Sequence, residues 1–247
     1  WDLKANETNK SEDFYTKRVE ELLFKSVERR LISDVPLGMP LSGGIDSSTV
    51  VAIASKLKED PIKTFTVGFD IPDDEFKAAK LVSQHCGTDH TEVHLNYTDL
   101  TKAFMKVLWH MEIPYSRPGV ITVYYLSNKI RETLTVSLSG EGSDEIFAGY
   151  NRYDAYTKFP EEYKNSNDPF YNELKRKIEM PLNQKVDYIS SGVFIDDKEE
   201  FFQDELLNIP DNLKAENSFG PLIKNTKNDG TQLNLALLYE MQTEIPY

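Results

Sequence analysis

The chain has little cysteine or histidine and a shortage of positive charge, and each shortage excludes something. One cysteine in 247 residues, Cys86, allows no internal disulfide and fits a reducing compartment. Standing before Gly87 at an expected helix end, Cys86 reads as buried filler rather than a nucleophile. His85, His90, His94 and His110 are spaced five, four and sixteen residues apart with no cysteine pair beside them, which excludes a zinc-type ligand set. His90 and His94 would share a helix face, but Thr91–Leu95 reads as a strand, so both read as hydrogen-bonded structural residues. Lys and Arg number 28 against 41 Asp and Glu, a net charge of −13. A nucleic-acid surface needs clustered cations to meet phosphates, and no basic cluster is visible. No apolar run approaches the roughly 18 residues a membrane helix needs. Internal repeats and low-complexity tracts are also absent.

What is present is ordinary for a globular protein of one or two domains: 39% hydrophobic and 28% charged residues. Residues 1–12 are polar and read as a linker, and 13–247 as the folded domain. The chain starts at Trp1, shows no signal peptide, and ends Glu244-Ile245-Pro246-Tyr247 after a helix-like stretch, Leu233–Met241; it is expected to be a fragment. Ser11-Glu12-Asp13 opens a helix whose Val19, Leu22, Leu23, Val27 and Leu31 form one apolar stripe. Strands are expected at Leu37–Leu41, Lys63–Phe69, Thr91–Leu95 and Leu134–Leu138. Helices are expected at Ser47–Leu57, Glu75–His85, Asp99–Trp109 and Val120–Thr133. This alternation predicts an α/β fold, a parallel sheet flanked by helices, with ligands beyond the carboxyl ends of the strands. From about residue 151 the apolar stripes shorten, and 151–247 reads as a mainly helical second half. Its aromatic cluster at 147–171 is expected to pack against the sheet, and Asp73-Asp74 and Asp196-Asp197 to be solvated loop positions.

Two loops stand out. In Leu41-Ser42-Gly43-Gly44-Ile45-Asp46-Ser47-Ser48 two glycines lie between a strand and a helix, where the backbone can approach a ligand closely. The amides that follow sit at a helix N-terminus, with about half a positive charge from the dipole, and Ser42, Ser47 and Ser48 add hydroxyls. Together they suit a pyrophosphate-sized anion. Asp46 would repel phosphate unless a Mg²⁺ bridges the two. The spacing and lysine of a Walker A loop are missing. Screening over about 8 Å lets these local groups, not the net charge, decide anion binding.

The second loop is Ser139-Gly140-Glu141-Gly142-Ser143-Asp144-Glu145-Ile146-Phe147-Ala148-Gly149-Tyr150. Its glycines frame Glu141 in a tight turn, and Asp144 falls in the first turn of the next helix, placed to share Mg²⁺ with Asp46 if the loops are neighbours.

Ser42–Ser48 resembles the SGGxDSS loop of the N-type ATP pyrophosphatases (the PP-loop superfamily), which includes asparagine, GMP, NAD and argininosuccinate synthetases and tRNA-thiolating enzymes. The second loop resembles the SGEGSDE-(I/V)-F-(A/G)-GY stretch of the glutamine-hydrolysing asparagine synthetases; lactam-forming relatives carry Tyr at the place of Glu141. Trp1-Asp2-Leu3, Ser33–Gly38 and Gly87–His94 resemble further segments of that family, and the likeness covers residues 1 to about 153. The resemblance implies a Rossmann-like, adenine nucleotide alpha hydrolase-like fold and an ATP-dependent ligase in asparagine biosynthesis. It carries over Leu41, Val67, Ser139 and Gly140 as adenosine contacts, Ser42, Gly43, Gly44, Asp46, Ser47 and Ser48 as the phosphate site, Asp46 and Asp144 as Mg²⁺ ligands, and Glu141, with Asp144, as catalytic. Aspartate and ammonia from glutamine are the implied substrates, with a glutaminase domain upstream and a cytoplasmic location; a homodimer is compatible with it. An amidotransferase paralogue acting on another carboxylate shares all these residues, and a nucleotide-binding regulatory domain shares all but the need for Glu141. The sequence departs from the family at Pro40, which lacks an N–H and suits a central strand poorly, and at Ile113–Pro118, which lacks an acidic residue near Arg117. The family's later aspartate contacts and catalytic lysine would fall past residue 247.

Overall fold

A computed structural model describes residues 10–69, 75–111 and 119–150, together with Tyr153, Asn172, Lys175, Arg176, Glu179, Leu233, Asn234, Leu237 and Met241. The chain divides into two compact units, one formed by Lys10–Glu141 and one that includes Gly142–Tyr247.

In the first unit the elements run α1 (Glu12–Arg30), β1 (Leu37–Pro40), α2 (Ile45–Leu57), β2 (Lys63–Phe69), α3 (Phe76–Cys86), β3 (Asp89–Leu95), α4 (Tyr97–Met111), α5 (Gly119–Arg131) and β4 (Val136–Ser137). The strands form one four-stranded parallel sheet in the order β3-β2-β1-β4. Parallel strands are buried on both faces, and β2 shows why its sequence suits that. Phe65 packs with Ile130 and Leu134 on the α5 side, while Thr64 and Thr66 turn the other way and lie buried. The main core joins Val27 of α1, Met39 of β1, Leu41, Val51, Ile53 and Ala54 of α2, and Ala79 of α3. Ala103 and Val107 of α4 meet Ile121 of α5 in a third cluster.

The element types agree with the sequence reading, and the boundaries differ for local reasons. α2 starts at Ile45, two residues early, because the cap is Gly44; Ile45 is 82% exposed and breaks the apolar stripe. β4 is two residues long rather than five. Pro40 accounts for this and for its own tolerance in a central strand. Leu41 N–H donates to Phe65 O at 2.8 Å, so odd-numbered residues of β1 bond toward β2 and even-numbered ones toward β4. Leu138 N–H donates to Gly38 O at 3.0 Å, and the next bond of the ladder would come from the N–H that Pro40 lacks. The ladder therefore ends at the Gly38–Ser137 pair.

After β1 the chain builds outward through β2 and β3, then crosses back to place β4 on the other side of β1. Strand order thus reverses between β1 and β4, and the loops leaving the carboxyl ends of these two strands are the first and second loops. A crevice at such a reversal is where open α/β sheets bind ligands.

In the second unit Ser143–Phe147 of the second loop's sequence form the short helix α6. Tyr153 is buried, and the other described residues beyond 150 are helical. Residues 1–9, Ile113–Pro118, Asp73-Asp74 and most of 151–247, with the expectations placed on them, lie outside the described residues. No helix among the described residues is long and apolar enough to cross a membrane.

Candidate nucleotide and active site

The first loop is held open by its glycines. Gly43 has φ +81°, and a β-carbon there would stand 2.6 Å from the backbone of Ala78 and Ala79, so the loop lies directly on α3. Gly44 caps α2 and has no side chain of its own to offer the first-turn amides. The serines fold onto the loop: Ser47 Oγ accepts from Ser42 N–H at 3.2 Å and lies 3.0 Å from Ser42 Oγ, which accepts from Gly44 N–H at 3.2 Å. Ser48 Oγ is buried and has no hydrogen-bond partner. A pyrophosphate-sized anion fits this donor set: a helix start with glycine at its cap, hydroxyls that bond within the loop, and one hydroxyl hydrogen uncommitted.

The second loop meets the first. A β-carbon on Gly140 would lie 3.1 Å from the carbonyl carbon of Asp46 and 3.2 Å from its Cβ, a tight fit that would press on Asp46. Gly140 and Asp46 are thus packed backbone to backbone, which the sequence required but did not display. Glu141 follows in an exposed turn. Leu41 is buried at the end of β1, Val67 is half-buried on β2 opposite Val93, and Ser139 is exposed just past β4.

Asp144 lies in the first turn of α6, as its sequence position predicts. Its carboxylate rests on the α-carbon of Gly149, whose N–H donates to Asp144 O at 3.0 Å. Sequence reasoning missed Gly149 as the residue that seats this carboxylate; the Gly-Tyr pair closing the motif was the available signal. In the same unit Glu145 is buried, with Tyr150 donating to Oε1 at 3.0 Å and Oε2 without a partner. Among the described residues no three acidic, histidine or cysteine side chains gather as a metal centre. Asp46 and Asp144 belong to different units, so a shared Mg²⁺ belongs to the functional reading rather than to the observed geometry.

His90 and His94 make the contacts of structural residues. His90 on β3 bonds Thr64 and Thr66, and burial pushes its pKa down, helped by Lys80 and opposed by Glu92. His94 packs on Phe76, with ring centroids 4.3 Å apart. Burial pushes the Cys86 thiol up, against the influence of Lys56, so the thiolate is disfavoured.

A family model described as asparagine synthase matches residues 18–242, nearly the whole chain. The chain belongs to the asparagine synthase family. It is 36% identical over 143 residues to asparagine synthetase [glutamine-hydrolyzing] 1 of Bacillus subtilis (strain 168), covering 58% of this chain and 22% of that protein. It is 37% identical over 168 residues to asparagine synthetase B [glutamine-hydrolyzing] of Escherichia coli (strain K12), covering 60% of this chain and 28% of that protein. The chain therefore spans about a quarter of the length of these asparagine synthetases. Among solved structures, the NH3-dependent NAD synthetase from Campylobacter jejuni superposes with a TM-score of 0.41 at 12% identity, over 82% of this chain and 95% of that one.

Proposed function

We propose that this chain is the ATP-using part of an asparagine-forming ligase. The observation that carries the reading is the seating of Gly140 on Asp46: within one unit it brings the loop bearing Glu141 against the glycine-capped start of α2. Family membership and the named activity of the asparagine synthetases it matches support the same reading.

In this mechanism the amides and hydroxyls of Ser42–Ser48 hold the β- and γ-phosphates of ATP, and Leu41, Val67, Ser139 and Gly140 line the adenosine. An oxygen of the aspartate β-carboxylate attacks the α-phosphorus and pyrophosphate departs, leaving a β-aspartyl-adenylate. Ammonia then attacks the acyl carbon and AMP departs, giving asparagine. Activation is needed because a carboxylate has no usable leaving group, whereas the adenylate sheds AMP. Fixed donors facing the developing phosphate charge can each lower the barrier by about 3 kcal/mol. Glu141 takes a proton from the incoming nitrogen. Asp46 and Asp144 are the carboxylates that would hold Mg²⁺, which when bound offsets the phosphate charge. The ammonia comes from glutamine, released by a glutaminase domain upstream in the longer protein, to which residues 1–12 are the linker. In this reading the active protein is cytoplasmic, and a homodimer is compatible with it.

The test is pyrophosphate release by the full-length protein with MgATP and ammonium, with and without aspartate. Aspartate-dependent release, with AMP and asparagine as products, is the expected result. Release only with another carboxylate would make the protein a paralogue, and ATP binding without turnover would make it a regulatory domain. Glu141→Ala should retain ATP affinity while amide formation falls 10²-fold or more, roughly the range for loss of a general base. Normal turnover by that variant would remove Glu141 from the mechanism.

A further inference from the structure

Leu41 closes β1, and its carbonyl stands one residue before the first loop. That carbonyl accepts a hydrogen bond from Thr66 Oγ1. Behind Thr66 a row of polar groups continues along the sheet. Thr66 Oγ1 is 3.3 Å from His90 Nε2, and His90 Nδ1 is 2.9 Å from Thr64 Oγ1. Thr64 Oγ1 is 2.8 Å from Thr88 Oγ1, which donates to Ser83 Oγ at 2.9 Å. Thr64, Thr66 and Ser83 are buried, so water does not replace a bond lost here.

Each hydroxyl has one hydrogen to give. Thr88 gives its hydrogen to Ser83, so Thr64 must donate to Thr88, and the Thr64 oxygen can only accept from Nδ1. Thr66 gives its hydrogen to Leu41, so the Thr66 oxygen can only accept from Nε2. Every bond in the row is made only if both ring nitrogens carry hydrogen, which describes an imidazolium. A neutral ring falls one hydrogen short. Its single hydrogen belongs on Nδ1, because that keeps the two shorter contacts, Nδ1 to Thr64 at 2.9 Å and Thr64 to Thr88 at 2.8 Å, and leaves the 3.3 Å contact at Nε2 as the unmade one. Bare Nε2 then faces the Thr66 oxygen, lone pair to lone pair, until the Thr66 hydrogen turns from Leu41 to Nε2.

Charges around the ring do not reverse this. Glu92 on its own strand favours the imidazolium, Lys80 on α3 opposes it, and burial opposes it more strongly than either. From β2 the groups that reach the ring are the neutral hydroxyls of Thr64 and Thr66.

We propose that His90 steers the Thr66 hydroxyl, so that the Leu41 carbonyl beside the first loop holds the Thr66 hydrogen bond when the ring is protonated and loses it when the ring is neutral. His90 and Thr66 are positioning residues in this scheme. The hydrogen routing stands on geometry alone; its effect on nucleotide binding rests on the proposed function.

The routing is read by NMR on the full chain across about pH 5 to 8, the range in which histidine titrates. Ring ¹⁵N shifts of His90 should show the Nδ1–H tautomer above its midpoint. The carbonyl ¹³C of Leu41 should move with the same midpoint, and Thr66→Val should abolish that movement. An Nε2–H tautomer, or a Leu41 carbonyl indifferent to the His90 titration, would overturn the proposal even if the valine variant failed to fold. MgATP affinity then tests the consequence. It should fall about three- to tenfold in the wild type as His90 is protonated, the scale of one hydrogen bond, and Thr66→Val should remove that part of the pH dependence. Equal pH dependence in both proteins would overturn the coupling. Absence of ATP binding at every pH, with the NMR result intact, would count against the proposed function and not against the routing.

Discussion

Helices α1 and α2 begin in opposite ways. At α1 Ser11 accepts from Phe14 N–H at 3.3 Å, and Glu12 and Asp13 place negative charge in the first turn. At α2 the cap is Gly44, which has no side chain to offer the first-turn amides, and the serines nearby bond to one another. Both helices have serines within reach of their starts, so the difference is not one of supply. It lies in two glycines that draw the backbone away from the serines and, at Gly43, onto α3. A helix start satisfied by its own side chains is a structural element; one kept open beside glycines is arranged for something outside the chain.

The comparison can be broken from either side. The largest effect is expected at Gly43→Ala. It combines a left-handed backbone with a β-carbon driven into Ala78 and Ala79, and should cost about 2–4 kcal/mol in chemical denaturation. Gly44→Asp would make α2 start as α1 does. Its carboxylate would cap the helix and repel phosphate, so MgATP affinity measured by calorimetry should drop at least about tenfold while stability changes by only a few tenths of a kcal/mol. Retained affinity in that variant would mean that the α2 start is not the phosphate site. Ser11→Ala sharpens the contrast: stability should fall by about 1 kcal/mol and nucleotide affinity should not change. The smallest effect concerns pH. Burial holds the His90 pKa below its ordinary value of 6.5, so the unfolded chain takes up the proton first on acidification. The stability present above that value should decline slightly as pH falls below it, until the folded-state value is passed. His90→Gln should flatten that part of a urea-denaturation series.

Much of this was legible in the sequence, because periodicity is a local property. Val50, Val51, Ile53, Ala54 and Leu57 announce α2, and the β-rich Lys63–Phe69 announces β2. The two glycine loops declare themselves by composition. What escaped reading depends on residues far apart in the chain. β4 stops early because of a proline on β1. Gly140 sits tight against Asp46, and Gly149 is required by the carboxylate of Asp144. His90 reads as an inert histidine until β3 pairs with β2 and sets it against Thr64 and Thr66. Strand register, which a single sequence states only weakly, makes the difference in each case except Gly149.

The uneven ladder around β1 also bears on how the molecule assembles. β1 and β2 join residues 25 apart in the chain, and β3 adds seven paired residues to β2, so these three strands can zip together from nearby segments. β4 must return across 99 residues to gain only two paired positions beside Pro40. Closing so long a loop for so little makes β4 the last strand to dock and the first to open in native-state hydrogen exchange. The second loop travels with it, so the two halves of the candidate site come together in the final step of folding, and the weakest seam of the sheet runs between them.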